Sequence, residues 1–333
     1  MSTKQGPRVT KQNVFNYCML DQCKSAVLHR WCLETGTIGN QRLFQDFCHR
    51  LSLTPLPASE STLILFVTEL AQTRAHSTIR TYLAGVRHLH VTRGLGNPLT
   101  NTLKLDLVLR GIHRVQPNKK TPRLPVTPVI LARIKQGLDA NPSFESTMLW
   151  AACCLGFFGF LRCGEFMLQS ASQFDPAVHL TPLDIAVDSP ASPSLLAVTI
   201  KRSKTDQYGQ GTTLYLGKTA NEICPVSAIL QYLAIRPSTP GPLFISCDGK
   251  PVTKQQFIQA IRTTLTRVGV DASSYKGYSF RIGAATTAAA CGLGDSLVKV
   301  LGRWSSAAYQ VYIKIPPQEL AAVAPTLVAN AVS

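Results

Sequence analysis

Arg162 follows fourteen residues without a charge, 148–161 (MLWAACCLGFFGFL), and Glu165 stands three positions further on. A cation at the end of such a run is partly desolvated, and that cost has to be offset by a nearby anion. Glu165 is one candidate. A phosphate is the other, because the planar fork of arginine can bond two oxygens at once. Taken alone, the pair reads most simply as a structural ion pair at a helix end. Residues 278–312 (YSFRIGAATTAAACGLGDSLVKVLGRWSSAAYQVY) hold most of the remaining candidates. Arg281 opens a run of small residues, 283–290, and small residues let another backbone come close, so this helix is expected in the core. Gly292 and Gly294 stop it, and Asp295 can cap the next helix. Gly302, Arg303 and Trp304 end that one, and a last helix over 307–313 carries Tyr309 and Tyr312. The two helices joined at 292–294 also fit a helix-turn-helix DNA reader. Lys204 lies in a polar turn, 201–211 (KRSKTDQYGQG), where a lysine is ordinarily just solvated.

No metal chemistry is legible. The ten cysteines stand singly or as Cys153-Cys154, with no CxxC pair and no Cys/His spacing of zinc type. Metal-dependent strand transfer needs clustered carboxylates, and the 12 acidic residues of 124–333 form no evident constellation. The expectation is therefore no metal site and no cofactor.

The elements that must position these residues fall into two sets. Residues 1–35 follow an irregular pattern, and a helix over 14–33 is only one reading of them; from residue 41 to 113 the apolar spacing is helical. Leu43, Phe44, Phe47 and Leu51 mark a helix over 41–51. Ser59 or Ser61 caps one through 63–70, and Ser77 caps one whose stripe is Ile79, Tyr82, Leu83, Val86 and Leu89. A fourth covers 103–113. Arg80 and Arg87 are seven apart and share a side of the third helix away from its stripe, where they can meet phosphates or simply water. Residues 117–128 (PNKKTPRLPVTP) contain four prolines, which forbid a helix and favour an extended, basic linker carrying Lys119 and Lys120. Beyond it, helices are expected at 129–138, 146–161, 225–234, 254–268, 282–291 and 296–301. Strands are expected at 183–187, 195–200 and 212–216, the last two forming a hairpin around Lys204. The fold class is thus mainly α with a small antiparallel β-sheet (α+β).

Charge points to the partner. The chain of 333 residues carries a net +16, which suits a polyanion. Residues 1–123 hold a net +11 and the remainder +5, so the front half suits gripping phosphates and the back half something more specific. The first twelve residues are polar and basic, without the apolar core of a secretory signal. The apolar run 148–161 is shorter than the roughly 17–25 residues of a membrane span.

In order and spacing these elements resemble the tyrosine recombinase (phage integrase) family. The family's first box, an apolar helix ending in Gly-Leu-Arg with a Glu three residues on, reads here Gly159-Phe160-Leu161-Arg162-Cys163-Gly164-Glu165. Its hairpin lysine, often within Ser-Lys-Thr, reads Ser203-Lys204-Thr205. Its second box, His-x-x-Arg, then Gly-(His or Trp), then the nucleophilic Tyr, reads Tyr278-x-x-Arg281, Gly302-Arg303-Trp304 and Tyr312. The stretch 77–90 (STIRTYLAGVRHLH) is similar to the family's core-binding domain. The likeness spans roughly 40–315, and within the family it is nearest to integrases of eukaryotic mobile elements (crypton-like). There are two departures. Tyr278 stands for the usual His, and Trp304 to Tyr312 is eight residues, one short of the commonest spacing.

The resemblance implies an N-terminal extension (1–35), a helical core-binding domain (36–116), the basic linker (117–128), a recombinase catalytic domain (129–315) and a tail (316–333). It implies site-specific cleavage and rejoining of double-stranded DNA, with Tyr312 attacking a phosphate to give a 3′-phosphotyrosine and a free 5′-hydroxyl. Arg162 and Arg281 would cradle the non-bridging oxygens, Lys204 would protonate the leaving oxygen, and Trp304 would pack on the phosphate. Glu165 would orient Arg162, and Tyr278 would stand where the family's histidine handles protons. Tyr309 competes with Tyr312 as nucleophile. A homo-tetramer on DNA is implied, with no membrane partner, acting in the nucleus of a eukaryote or the cytoplasm of a bacterium. Two other readings stay open: a DNA-binding protein that keeps the fold without catalysis, and a helix-turn-helix regulator.

Overall fold

The structure is a computed structural model describing residues 37–116, 123–203, 206 and 209–313. The expected N-terminal extension, linker residues 117–122 and the tail 316–333 lie outside the described residues. The chain divides into two compact units, 1–120 and 121–333.

Among the described residues the first unit holds four helices: α1 (Thr37–Arg50), α2 (Glu60–Ala71), α3 (His76–Thr92) and α4 (Leu103–Val115). Their apolar stripes meet in one core, with Phe44 and Phe66 packed edge to face at 5.1 Å. Ser59 caps α2 by accepting the N–H of Thr62. Two expectations are corrected here. Leu43 and Leu51 are exposed and Cys48 is buried in their place. Ser77 does not cap α3: the helix begins at His76, and the His76 N–H is taken by the side chain of Gln116, which also donates to the carbonyls of Ala71 and Arg74. A distant glutamine thus does the work of a local cap. Glu60 acts likewise for α4, accepting the N–H groups of Lys104 and Leu105. These two side chains lock the helix ends together.

The second unit is built around one helix buried on every side. Thr127 caps α5 (Pro128–Asp139), which has proline in its first turn. Ser143 and Ser146 form a capping box on α6 (Phe144–Phe158), whose residues 148–157 are all buried. A helix apolar all round belongs at the centre of a core. Around it lie α8 (Pro225–Ile235), α9 (Lys254–Arg267) and α10 (Ser279–Ala290). A three-stranded antiparallel sheet joins them, β1 (Ile185–Val187), β2 (Leu195–Ile200) and β3 (Thr212–Gly217), in that order. Val198 pairs with Ile185 on one side and Leu214 on the other. Leu196, Val198, Ile200, Leu214 and Leu216 are buried, while Thr199 and Tyr215 face outward. The strand expected from residue 183 begins two residues later, because Pro182–Asp184 is a 3-10 turn that leaves Leu183 exposed. Among the described residues no helix is long and apolar enough to cross a membrane.

The C-terminal elements also shift slightly. α10 is buried along most of its length, as its small residues require, which removes it as one arm of an exposed helix-turn-helix. Gly294, not Asp295, holds the cap position of α11 (Asp295–Gly302), with Asp295 in the first turn. The last segment, Ala307–Tyr312, winds as a 3-10 helix rather than an α-helix. The expected helix 146–161 stops at Phe158, for a reason that bears on the site.

Candidate active site

Two helices end in the same way on either side of Arg281. At the end of α6, Leu161 N–H bonds back to the Gly156 carbonyl and Phe160 N–H to that of Phe157. At the end of α11, Trp304 N–H bonds to the Lys299 carbonyl and Arg303 N–H to that of Val300. This is the pairing in which a left-handed residue, usually glycine, terminates a helix. Here the left-handed residues are Phe160 (φ 50°) and Arg303 (φ 55°), both with side chains. Each terminus delivers a carbonyl to the same guanidinium. Arg281 donates through one terminal nitrogen to Phe160 O at 2.6 Å and through the other to Gly302 O.

Arg281 is fully buried. The Trp304 ring covers its guanidinium at 4.3 Å and the Tyr312 ring lies 5.9 Å away. Trp304 and Tyr312 are 5.5 Å apart, and the Tyr312 carbonyl accepts from the Thr286 hydroxyl. Gly302 is obligatory, since a Cβ there would fall 1.6 Å from the Trp304 ring. Gly283, one turn past Tyr278, is equally constrained: a Cβ would sit 1.9 Å from the Val126 carbonyl.

Arg162 is the residue just before the short helix α7 (Cys163–Phe166). Its guanidinium bonds Glu165 Oε1 at 2.8 Å, and its backbone N–H bonds Oε2 at 2.8 Å. Arg303 donates to the same Oε2 at 2.8 Å and to the Gly159 carbonyl at 3.1 Å. Two arginines therefore share one almost buried carboxylate, and Arg281 lies near enough to feel the charge of all three groups. The Nε groups of Arg281 and Arg303 are buried without a partner, an arrangement that invites an anion. Burial first, and Arg162 second, pull the Arg281 pKa down to about 10; burial also lowers that of Arg303. Both stay charged at neutral pH.

Of the residues singled out in the sequence, Arg162, Glu165, Arg281, Trp304 and Tyr312 lie together. Tyr278 ends the loop before α10, three residues from Arg281, with the Arg123 guanidinium 5.1 Å over its ring. Tyr309 is buried, and its phenol is pushed up by a hydrogen bond to Asp295 and then by burial, so of the two phenols only Tyr312 is partly open to solvent. Lys204 lies outside the described residues. Ser203 and Asp206, which flank its place in the hairpin, line a cleft of about 550 Å³ together with Lys299, Arg303, Trp304 and Ser305. Arg80 and Arg87 are exposed on α3 of the first unit; Lys119 and Lys120 lie outside the described residues. Among the described residues no group of three or more His, Cys, Asp or Glu side chains could hold a metal ion.

Arg123 and Arg303 were missed as site residues. For Arg303 a signal existed: counted from it, Tyr312 is nine residues away, the spacing that Trp304 misses by one.

No family profile matches the chain. It is 24% identical over 260 residues to an integrase/recombinase xerD homolog of Selenomonas ruminantium, covering 74% of this chain and 70% of that protein. Among solved structures it is similar to the integrase of transposon Tn1549 in complex with transposon right end DNA, with a TM-score of 0.58 and 12% identity, over 92% of this chain and 98% of the other. It is similar to a lambda integrase dimer bound to a core site, with a TM-score of 0.55 and 13% identity over 90% and 95% of the two chains. A third likeness is to the XerH site-specific recombinase bound to its difH substrate after cleavage, with a TM-score of 0.55 and 14% identity over 80% and 69%. At these identities the structural likeness is one of fold.

Proposed function

We propose that this chain, a tyrosine recombinase by its fold and by its likeness to an integrase/recombinase relative, cuts and rejoins DNA with Tyr312 as nucleophile. The observation that carries the reading is one cluster in which Arg162 and Arg303 share the Glu165 carboxylate, Arg281 lies beside them with the Tyr312 ring next to it, and two guanidinium Nε groups lack partners. Such a cluster is completed by one further anion, and a DNA phosphate is the anion the basic chain is suited to meet.

The Tyr312 hydroxyl attacks phosphorus, the bond to the 5′-oxygen breaks, and a 3′-phosphotyrosine forms. Lys204 supplies the proton to the leaving oxygen, and a later attack by a 5′-hydroxyl reverses the step. Energy stays in the covalent link. The arginines stabilise charge as it develops on the non-bridging oxygens. As described, Arg281 has both terminal nitrogens committed to carbonyls and Trp304 stacked on it, so engaging a phosphate requires Trp304 and the segment after it to move off. Tyr278 stands at the histidine position with Arg123 above it, which places a guanidinium where a histidine would have brought a titratable ring. Arg80, Arg87, Lys119 and Lys120 contribute duplex contacts and take no part in the chemistry. The protein works as a homo-tetramer on two duplexes, as the integrase of a mobile element of crypton-like kind. It acts in the nucleus of a eukaryotic host or the cytoplasm of a bacterial one.

Nicked duplexes drawn from the DNA flanking the gene trap the covalent intermediate, which denaturing gels reveal. The expected result is a protein–DNA adduct with the wild type and none with Tyr312→Phe. An adduct that survives Tyr312→Phe defeats the assignment of the nucleophile. Its absence from the wild type on every duplex favours the second reading, a DNA-binding protein without catalysis, for which the covered Arg281 and the replaced histidine both speak.

A further inference from the structure

Helices that end in a left-handed residue ordinarily place glycine there, because a Cβ crowds the following carbonyl oxygen in that conformation. Arg303 occupies this position at the end of α11. An arginine is an expensive choice for the backbone, and a left-handed outlier of this kind points to a side chain that is needed. What it does is visible. The left-handed turn swings the guanidinium inward, where it takes Glu165 Oε2 and the Gly159 carbonyl. Glu165 Oε1 is left for Arg162. The carboxylate is thereby gripped from both sides, and neither oxygen is free to draw Arg162 into another geometry. The Gly159 bond ties the end of α11 to the end of α6, the two termini whose carbonyls hold Arg281. The Arg303 Nε, buried and without a partner, faces no protein acceptor, and the residue lines the cleft beside the Lys204 hairpin.

We propose that Arg303 is a positioning residue of the phosphate site, clamping Glu165 so that Arg162 and Arg281 are presented together to one bound anion. The inference rests on the functional reading above for the identity of that anion as a DNA phosphate, but the clamp itself is a property of the anion site.

Arg303→Gly is the informative variant. It relieves the backbone while deleting the clamp, so a backbone role and a side-chain role pull in different directions. Arg303→Lys keeps the charge without the fork. Full-length wild type and both variants are compared by three measurements: thermal unfolding, affinity for inorganic phosphate by calorimetry, and single-turnover cleavage of a nicked duplex at saturating protein. The expectation for Arg303→Gly is a melting temperature within a few degrees of wild type. Phosphate affinity should fall about tenfold and cleavage about 10²-fold, with duplex affinity changed only a few-fold. Arg303→Lys should recover little of either. Millimolar guanidinium ion should restore part of the cleavage by Arg303→Gly, which a loss of folding would not allow.

Wild-type phosphate affinity and cleavage in Arg303→Gly overturn the proposal. So does a parallel loss of melting temperature and both activities in the two variants with no rescue by guanidinium. So does a wild type that binds no phosphate. If the wild type forms no adduct but phosphate affinity falls as expected in Arg303→Gly, the recombinase reading fails and the clamp stands.

Discussion

The arginines of the helical unit and those around Tyr312 carry the same charge in opposite settings. Arg80 and Arg87 stand in solvent on α3, away from its buried stripe. Arg281 is wholly buried, and Arg162 and Arg303 nearly so. An exposed cation interacts weakly and through screening salt; a buried one is held by particular atoms and is costly when left unmatched. The first arrangement suits contact with many phosphates in any sequence. The second suits a single phosphorus atom. Net charge alone, strongest in the front of the chain, does not distinguish them.

The largest effect is expected where burial is deepest. Arg281→Met should lower single-turnover cleavage by about 10²–10³ at saturating DNA, as read from adduct formation on gels. A loss below tenfold would mean that the buried arginine only supports the fold. Next comes Gly283→Ala, which sets a methyl against the Val126 main chain, where nothing can yield cheaply. It should cost about 2–3 kcal/mol of stability, measured by chemical denaturation. An unchanged midpoint would show that the extended segment at Val126 is free to shift. Arg80→Ala with Arg87→Ala should weaken duplex binding and flatten its dependence on salt, by about 0.9 in the log–log slope for each phosphate no longer neutralised, while cleavage at saturation is unchanged. A fall in the saturated rate would erase the contrast between the two sets of cations.

The smallest effect belongs to neither set. Asp188 accepts the Ser194 hydroxyl and the N–H groups of Ser194 and Leu195, and the Ser194 hydroxyl foremost holds its carboxyl well below the usual range. A depressed carboxyl stabilises the folded state above its unfolded pKa, about 3.9, and loses that contribution as pH falls. Asp188→Ala should therefore melt slightly below wild type at neutral pH, with the gap closing below about pH 4. A gap independent of pH would assign the loss to packing.

Much of the fold was legible because periodicity and breakers act locally. The stripe Ile79, Leu83, Val86 and Leu89 announced α3, and the small residues 283–290 announced a deeply packed α10. The errors arise where a distant residue replaces a local one. Gln116 takes the first N–H of α3, so Ser77 is not needed as a cap. The helix expected through residue 161 ends three residues earlier because Phe160 turns left-handed, a conformation that sequence assigns to glycine. The same blindness hid Arg303. An arginine beside a tryptophan at a helix end reads as a solvated side chain, and only the sign of one backbone angle sends it inward. Arg162, Glu165, Arg281 and Tyr312 were recoverable as a group from their order along the chain, whereas Arg123 over Tyr278 follows from a fold-level approach that no spacing encodes.

The two carbonyls that hold Arg281 belong to the main chain. No substitution can delete a peptide oxygen, so this part of the frame is insulated from point mutation in a way that a carboxylate partner would not be. At residue 160 the oxygen itself asks only for the left-handed conformation, while the ring, buried against Trp304, also fills the core. Asparagine or glycine, which enter the left-handed region readily, would still offer the same oxygen there but would leave the place of the ring empty. A saturation library at that codon would accordingly be sorted by backbone preference and buried volume together, with β-branched residues lost first.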